Sequence, residues 1–118
     1  MPNDTAQRKR EARIRYRMLA MLHDQRGNHH GGWVTGRGIV DALVWCGTDY
    51  RLDEDQDAID LLRDLVNKDF AEEEDNREDR DQPFGLDHLT WRITAKGSSF
   101  INRALPADAE IDDGRILK

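Results

Sequence analysis

Six cations crowd into ten residues near the start of this 118-residue chain: Arg8, Lys9, Arg10, Arg13, Arg15 and Arg17. Five are arginines, whose planar guanidinium forms paired hydrogen bonds to phosphate or carboxylate, whereas a lysine ammonium acts as a point charge. The run therefore suits contact with a polyanion, or a solvated helix whose arginines pair with carboxylates elsewhere in the chain. A basic amphipathic helix can also lie on a membrane surface. Here the apolar stripe of Ile14, Met18, Met21 and Leu22 has no Trp or Phe and is needed for a core, so no membrane partner is expected.

The carboxylates lie further along. Residues 1–40 carry a net +5, residues 41–90 a net −12 and residues 91–118 a net +1, which together make the overall −6. Exposed charges are screened beyond about 8 Å at physiological salt, so these local fields matter more than the total.

Other chemistry finds little support. His23, Asp24, His29 and His30 fall within eight residues but at no standard structural metal spacing, so no metal site is assigned. His88 reads as an ordinary surface residue. The glycines around Trp33 and Val34 lack the lysine and spacing of a phosphate cradle. Acidic pairs abound, but paired carboxylates do chemistry in clefts that shift their pKa, and a solvated acidic run supplies none. The lone Cys46 excludes an internal disulfide or a CxxC metal knuckle and reads as a small buried thiol. Trp33, Trp45 and Trp91 read as core or interface anchors. The expectation is a non-enzymatic protein without cofactor.

The elements that position these residues follow from periodicity. Residues 6–25 have helical spacing, with Asp4 or Thr5 as N-cap and Gly27 as stop. Gly27 to Gly32 is a loop, and Trp33 and Val34 form a very short strand. Thr35 caps a second helix ending at Trp45 or Cys46, with Ile39, Leu43 and Cys46 inward and Gly47 beyond its end. Asp53 and Gln56 suggest a capping box for a third helix, whose apolar arc is Ala58, Ile59, Leu61, Leu62, Leu65 and Val66. Phe70 to Glu73 begins a strand, and 74–87 is a polar, exposed loop. His88 to Thr94 alternates as a half-buried strand, and a last helix runs from Ala95 to Leu105, stopped by Pro106. Leu62, Leu65, Leu89, Trp91, Ile93, Phe100 and Ile101 are expected to share one core with Met18 and Leu22.

Leu89-Thr90-Trp91-Arg92-Ile93-Thr94-Ala95-Lys96-Gly97 resembles the closing strand of many bacterial winged-helix proteins, where an R-[IL]-T-x-x-G run leads into the last helix. Over about residues 8–105 the chain resembles the winged helix-turn-helix superfamily and, more loosely, small winged-helix proteins of Mu-like prophages. The resemblance implies a mainly α fold with a small antiparallel β-hairpin and a regulatory, DNA-associated role, with phage or prophage origin. It would set the third helix in the major groove, with Gln56 and Asn67 near base edges. Phosphate contacts would come from Arg8, Lys9, Arg10, Arg13 and Arg17, with help from Arg37, Arg63, Arg92 and Lys96.

The sequence departs from that pattern on the groove-facing side. Asp57, Asp60 and Asp64 lie there, and the wing carries Glu72, Glu73 and Glu74, all of which repel phosphate. The alternative is a protein-interaction module, or a DNA mimic, on the same scaffold, presenting this acidic surface to a basic protein partner. Residues 1–5 are expected as a flexible N-terminus, 6–105 as the winged-helix domain and 106–118 as a weakly ordered C-terminal tail. A homodimer is expected, paired through the first helix and the residues after Ala95. The polar start lacks a secretory signal's apolar stretch, giving a cytoplasmic expectation.

Overall fold

Ile14, Met18 and Leu22 recur a turn apart, and with Leu19 they form a fully buried stripe along α1 (Asp4–Asp24). The structure, a computed structural model, describes residues 4–47, 50–79, 81 and 85–115. Asp4 and Thr5 both belong to α1, which therefore begins before the Ala6 start that the sequence suggests. The loop after α1 is organised by Asn28. Its Oδ1 accepts from the backbone N–H groups of His30 (2.8 Å) and Gly32 (2.9 Å), and its Nδ2 donates to the Trp33 carbonyl.

Among the described residues, three short strands pair into one antiparallel sheet. β1 (Val34–Thr35) and β2 (Ala71–Asp75) flank β3 (Leu89–Ile93), both antiparallel to it. Val34 lies opposite Trp91, and on the other side Ala71, Glu73 and Asp75 lie opposite Ile93, Trp91 and Leu89. β2 includes Glu74 and Asp75, which sequence patterning assigns to a loop. Their low strand propensity is overridden by the ladder to β3.

Among the described residues, the helices α2 (Gly36–Val44), α3 (Asp55–Asn67) and α4 (Ala95–Ile101) follow. Thr35 caps α2 as expected, its hydroxyl accepting from Gly38 N–H at 3.1 Å. The α3 cap falls one residue later than expected: Glu54 is the N-cap, and its N–H donates to Asp57 Oδ2 at 3.3 Å. Gln56 is drawn away to Asp60, 2.8 Å from its Nε2. The core joins the inner faces of α1, α2, α3 and α4 to β3 through Leu43, Leu62, Leu65, Leu89, Trp91 and Phe100, with Ile93 and Ile101 half-buried at its margin.

Both α3 and α4 end in a Schellman motif. Phe70 N–H reaches Leu65 O (3.0 Å) while Asp69 N–H reaches Val66 O (2.9 Å); Ala104 N–H reaches Ser99 O (2.8 Å) while Arg103 N–H reaches Phe100 O (3.0 Å). The left-handed positions are occupied by Asp69 (φ 64°) and Arg103 (φ 61°) instead of glycine. This is why α4 stops at Ile101 and not at Leu105.

Two further expectations are corrected. Cys46 lies beyond α2 and is exposed, not on an inner face. The segment after Pro106 is not a loose tail over its described residues, because Ile111 is fully buried and Asp112 N–H donates to the Ala12 carbonyl at 3.0 Å. Lys68 bridges Asp108 (3.0 Å) and Glu110 (2.9 Å), and Arg115 reaches the Leu105 carbonyl and lies 5.2 Å over the Phe100 ring. We call residues 107–115 the strap. Residues 1–3 and 116–118, the remainder of the two expected termini, lie outside the described residues.

Candidate interaction surfaces

The cations expected to meet phosphate divide into two groups. Those beside α3 and the β2–β3 hairpin are held by carboxylates. Arg37 pairs with Asp55 of α3 (2.9 Å) and with Asp87 before β3 (3.4 Å). Arg63 donates to Glu73 at 3.0 Å. Arg92 pairs with its cross-strand partner Glu72 at 2.9 Å, with its guanidinium carbon 4.7 Å from the Trp33 ring centroid. Lys96, exposed on α4, belongs to neither group and holds its amine 5.6 Å from the Phe70 ring.

The second group lies along α1. Arg10 donates to the Arg51 carbonyl, and Arg17 lies 5.6 Å over the Tyr50 ring, whose hydroxyl is the main cause of the raised guanidinium pKa. Arg8, Lys9 and Arg13 form no ion pair among the described residues. They line a cleft of about 530 Å³ between α1 and the strap, with Ala12, Ala109, Ile111 and the carboxylates of Asp112 and Asp113.

Arg15, fifth in the basic run, is not a surface cation. It is 8% exposed and donates from Nε (3.0 Å) and Nη2 (2.8 Å) to Asp64 Oδ2, and from Nη1 to the Glu110 carbonyl (3.1 Å). It thus joins α1, α3 and the strap. No spacing in the sequence marks this role, since Asp64 is 49 residues away and Glu110 is 95.

The acidic candidates divide likewise. Asp64 is bound by Arg15, Glu72 by Arg92, and Glu73 by Arg63 and by the indole N–H of Trp91 at 3.1 Å. Asp64 and Glu73 serve the fold, whereas the Glu72–Arg92 pair is exposed on both sides. Asp57, Asp60 and Glu74 remain exposed, together with Asp53, Glu54 and Gln56 at the start of α3 and with Glu78, Asp79 and Asp81 beyond β2. Asn67, the last residue of α3, is exposed. The outward side of α3 and the hairpin is therefore a carboxylate surface whose nearest arginines are already engaged.

Among the described residues, no group of three or more His, Cys, Asp or Glu side chains is arranged to hold a metal ion, and no helix is long and apolar enough to cross a membrane. Trp45, which by sequence could be a core or an interface anchor, is 90% exposed, beside Val44 at 60%, at the end of α2.

No protein-family model, curated protein or solved structure matches the chain.

Proposed function

We propose that this protein is a non-enzymatic interaction module on a winged-helix scaffold, and that the outward face of α3 and the hairpin engages a basic protein partner. The order helix, strand, helix, helix, strand, strand, helix, with the sheet order β1-β3-β2, supports the scaffold reading. The observation that carries the function is the engagement of Arg37, Arg63 and Arg92 by carboxylates of that same face. A duplex carries one negative charge per about 1.7 Å of axis, so docking α3 in a groove would bring Asp57, Asp60 and Glu74 against phosphate while the neighbouring arginines are already paired. A lysine- and arginine-rich surface meets the same carboxylates favourably and is steered to them at low salt.

Arg8, Lys9 and Arg13, without ion pairs among the described residues, favour a second reading, in which α1 makes sequence-independent phosphate contacts to double-stranded DNA. Polarisation titrations of the full chain with an arginine-rich peptide and with a random duplex separate the two. The acidic-face reading expects salt-sensitive peptide binding that Asp57→Asn, Asp60→Asn and Glu74→Gln together abolish. Duplex binding that is lost in Arg8→Ala, Lys9→Ala and Arg13→Ala, with no peptide binding, would overturn it in favour of DNA.

A further inference from the structure

We infer that the chain forms a reciprocal two-fold dimer in which Trp45 of each copy enters the cleft between α1 and the strap of the other. This goes beyond the acidic-face reading and uses none of Asp57, Asp60 or Glu74.

Isolated apolar residues on a surface need no explanation, but an indole 90% exposed beside a valine 60% exposed, at a helix end, is an anchor awaiting a socket. The cleft has the chemistry of one. Its volume of about 530 Å³ admits a bicyclic ring; Ala12, Ala109 and Ile111 line it, together with Asp112 and Asp113 of the strap, which are outnumbered by the cations of the same lining. Arg8, Lys9 and Arg13 stand on its wall without ion pairs among the described residues, and a cation over an indole face is the strongest of the cation–π combinations. Asp41 lies one turn before Trp45 on the exposed side of α2 and supplies the opposite charge.

The two features adjoin one another on a single copy. Tyr50 N–H bonds the Gly47 carbonyl at 3.2 Å, which ties the segment after Trp45 to Tyr50, and Arg17 lies over the Tyr50 ring. A smaller cleft runs from Arg17 and Tyr50 to Arg13 and Asp113, the wall of the larger one. Anchor and socket therefore flank the Arg17–Tyr50 strip. A two-fold axis through that strip sets each Trp45 against the other copy's socket, so the contact is self-complementary and closes at two.

Sedimentation velocity of the full chain from micromolar to millimolar concentration tests this. The wild type is expected to move from 13.7 kDa toward twice that mass. Trp45→Ala and Arg13→Glu, both at positions outside the core, are each expected to weaken association about tenfold or more while leaving the circular dichroism spectrum unchanged. Combining Arg13→Glu with Asp41→Arg is expected to regain much of the loss by restoring the pair with reversed sign. A wild type that stays monomeric throughout, a dimer indifferent to Trp45→Ala, or a swapped pair as weak as the single variants would each overturn the inference.

Discussion

The indole N–H of Trp91 donates to Glu73 Oε1 across the β2–β3 ladder at 3.1 Å, and the two residues are direct register partners. Trp91 is fully buried, so its N–H has no access to water. Arg63 of α3 holds the same carboxylate through Nε at 3.0 Å and Nη2 at 3.3 Å. One acidic side chain thus fixes the central aromatic of the sheet and clamps the helix above it. Its place in an acid-rich run conceals a structural role among residues that otherwise face solvent.

Replacing Glu73 by Ala leaves that indole N–H buried without an acceptor and is expected to cost about 1–3 kcal/mol. Glu73→Gln keeps an acceptor oxygen and is expected to retain most of the stability. Urea denaturation followed by tryptophan fluorescence checks both, and equal losses in the two variants would contradict the hydrogen-bond account.

The Arg15–Asp64 pair predicts an asymmetry. The Arg15 side chain is 9% exposed and that of Asp64 is 38% exposed. Removing the Asp64 carboxylate leaves the buried guanidinium with only the Glu110 carbonyl at 3.1 Å and Glu11 at 3.6 Å, whereas removing the guanidinium leaves a carboxylate that water reaches. Asp64→Ala is therefore expected to destabilise more than Arg15→Met, whose methylenes also replace the arginine stem in its packing. Thermal denaturation of the two variants at neutral pH checks the order.

The strap is expected to respond to pH at both extremes. Burial raises the pKa of Asp108, but hydrogen bonds from the Glu110 backbone and Lys68 outweigh it and hold the group below its ordinary 3.8. Burial likewise opposes ionisation of Asp113, and Arg115 overcomes it to the same net effect. A carboxylate whose pKa is depressed on folding stabilises the fold above its unfolded pKa and loses that contribution as pH falls through the folded one. For Lys68 burial lowers the pKa, but Glu110 and Asp108 raise it above 10.5, so its contribution is complete below that value and lost as pH rises through the folded one. Hydrogen exchange at the Asp112 amide, bonded to Ala12 in the fold, is expected to lose protection in acid below pH 3.8 before α1 does, once intrinsic exchange rates are taken into account.

Most of the core was legible because period 3.6 in α1 and α3 and period 2 in β3 mark its faces, but Met21, Val66 and Ile93 of those faces are half-buried, and the fully buried Leu19 and Leu86 were missed, Leu86 because it lies in the polar run read as a loop. The Thr35 cap was legible because it acts within three residues. What stayed hidden depends on sequence-distant partners or on rare backbone. Arg37, Arg63 and Arg92 look like phosphate ligands until Asp55, Glu73 and Glu72 are placed 18, 10 and 20 residues away. The strap looks like a tail because its anchors, Lys68 and Arg15, belong to other elements. The ends of α3 and α4 were hidden because Asp69 and Arg103 occupy positions where glycine is the usual signal.

The run from Leu89 to Gly97 that carries the winged-helix resemblance has an architectural chemistry here. The Thr94 hydroxyl accepts from Gly97 N–H at 3.0 Å, capping α4, and donates to the Asp69 carbonyl at 2.5 Å, while Thr94 N–H donates to the Phe70 carbonyl at 3.0 Å. These bonds draw α4 so close to the α3–β2 turn that a Cβ on Gly97 would overlap the Phe70 carbonyl oxygen and come within 2.8 Å of Ile93 Cγ1. The nearest obstacle is backbone and cannot swing aside. Gly97→Ala is therefore expected to destabilise by about 1–3 kcal/mol, although alanine favours helix elsewhere. Asp69→Gly relaxes a left-handed residue in the same turn without touching those bonds, and it is expected to be neutral or mildly stabilising. Opposite shifts of the two denaturation midpoints would establish that close approach, and not helix propensity, places the glycine; a neutral Gly97→Ala would show that the turn yields.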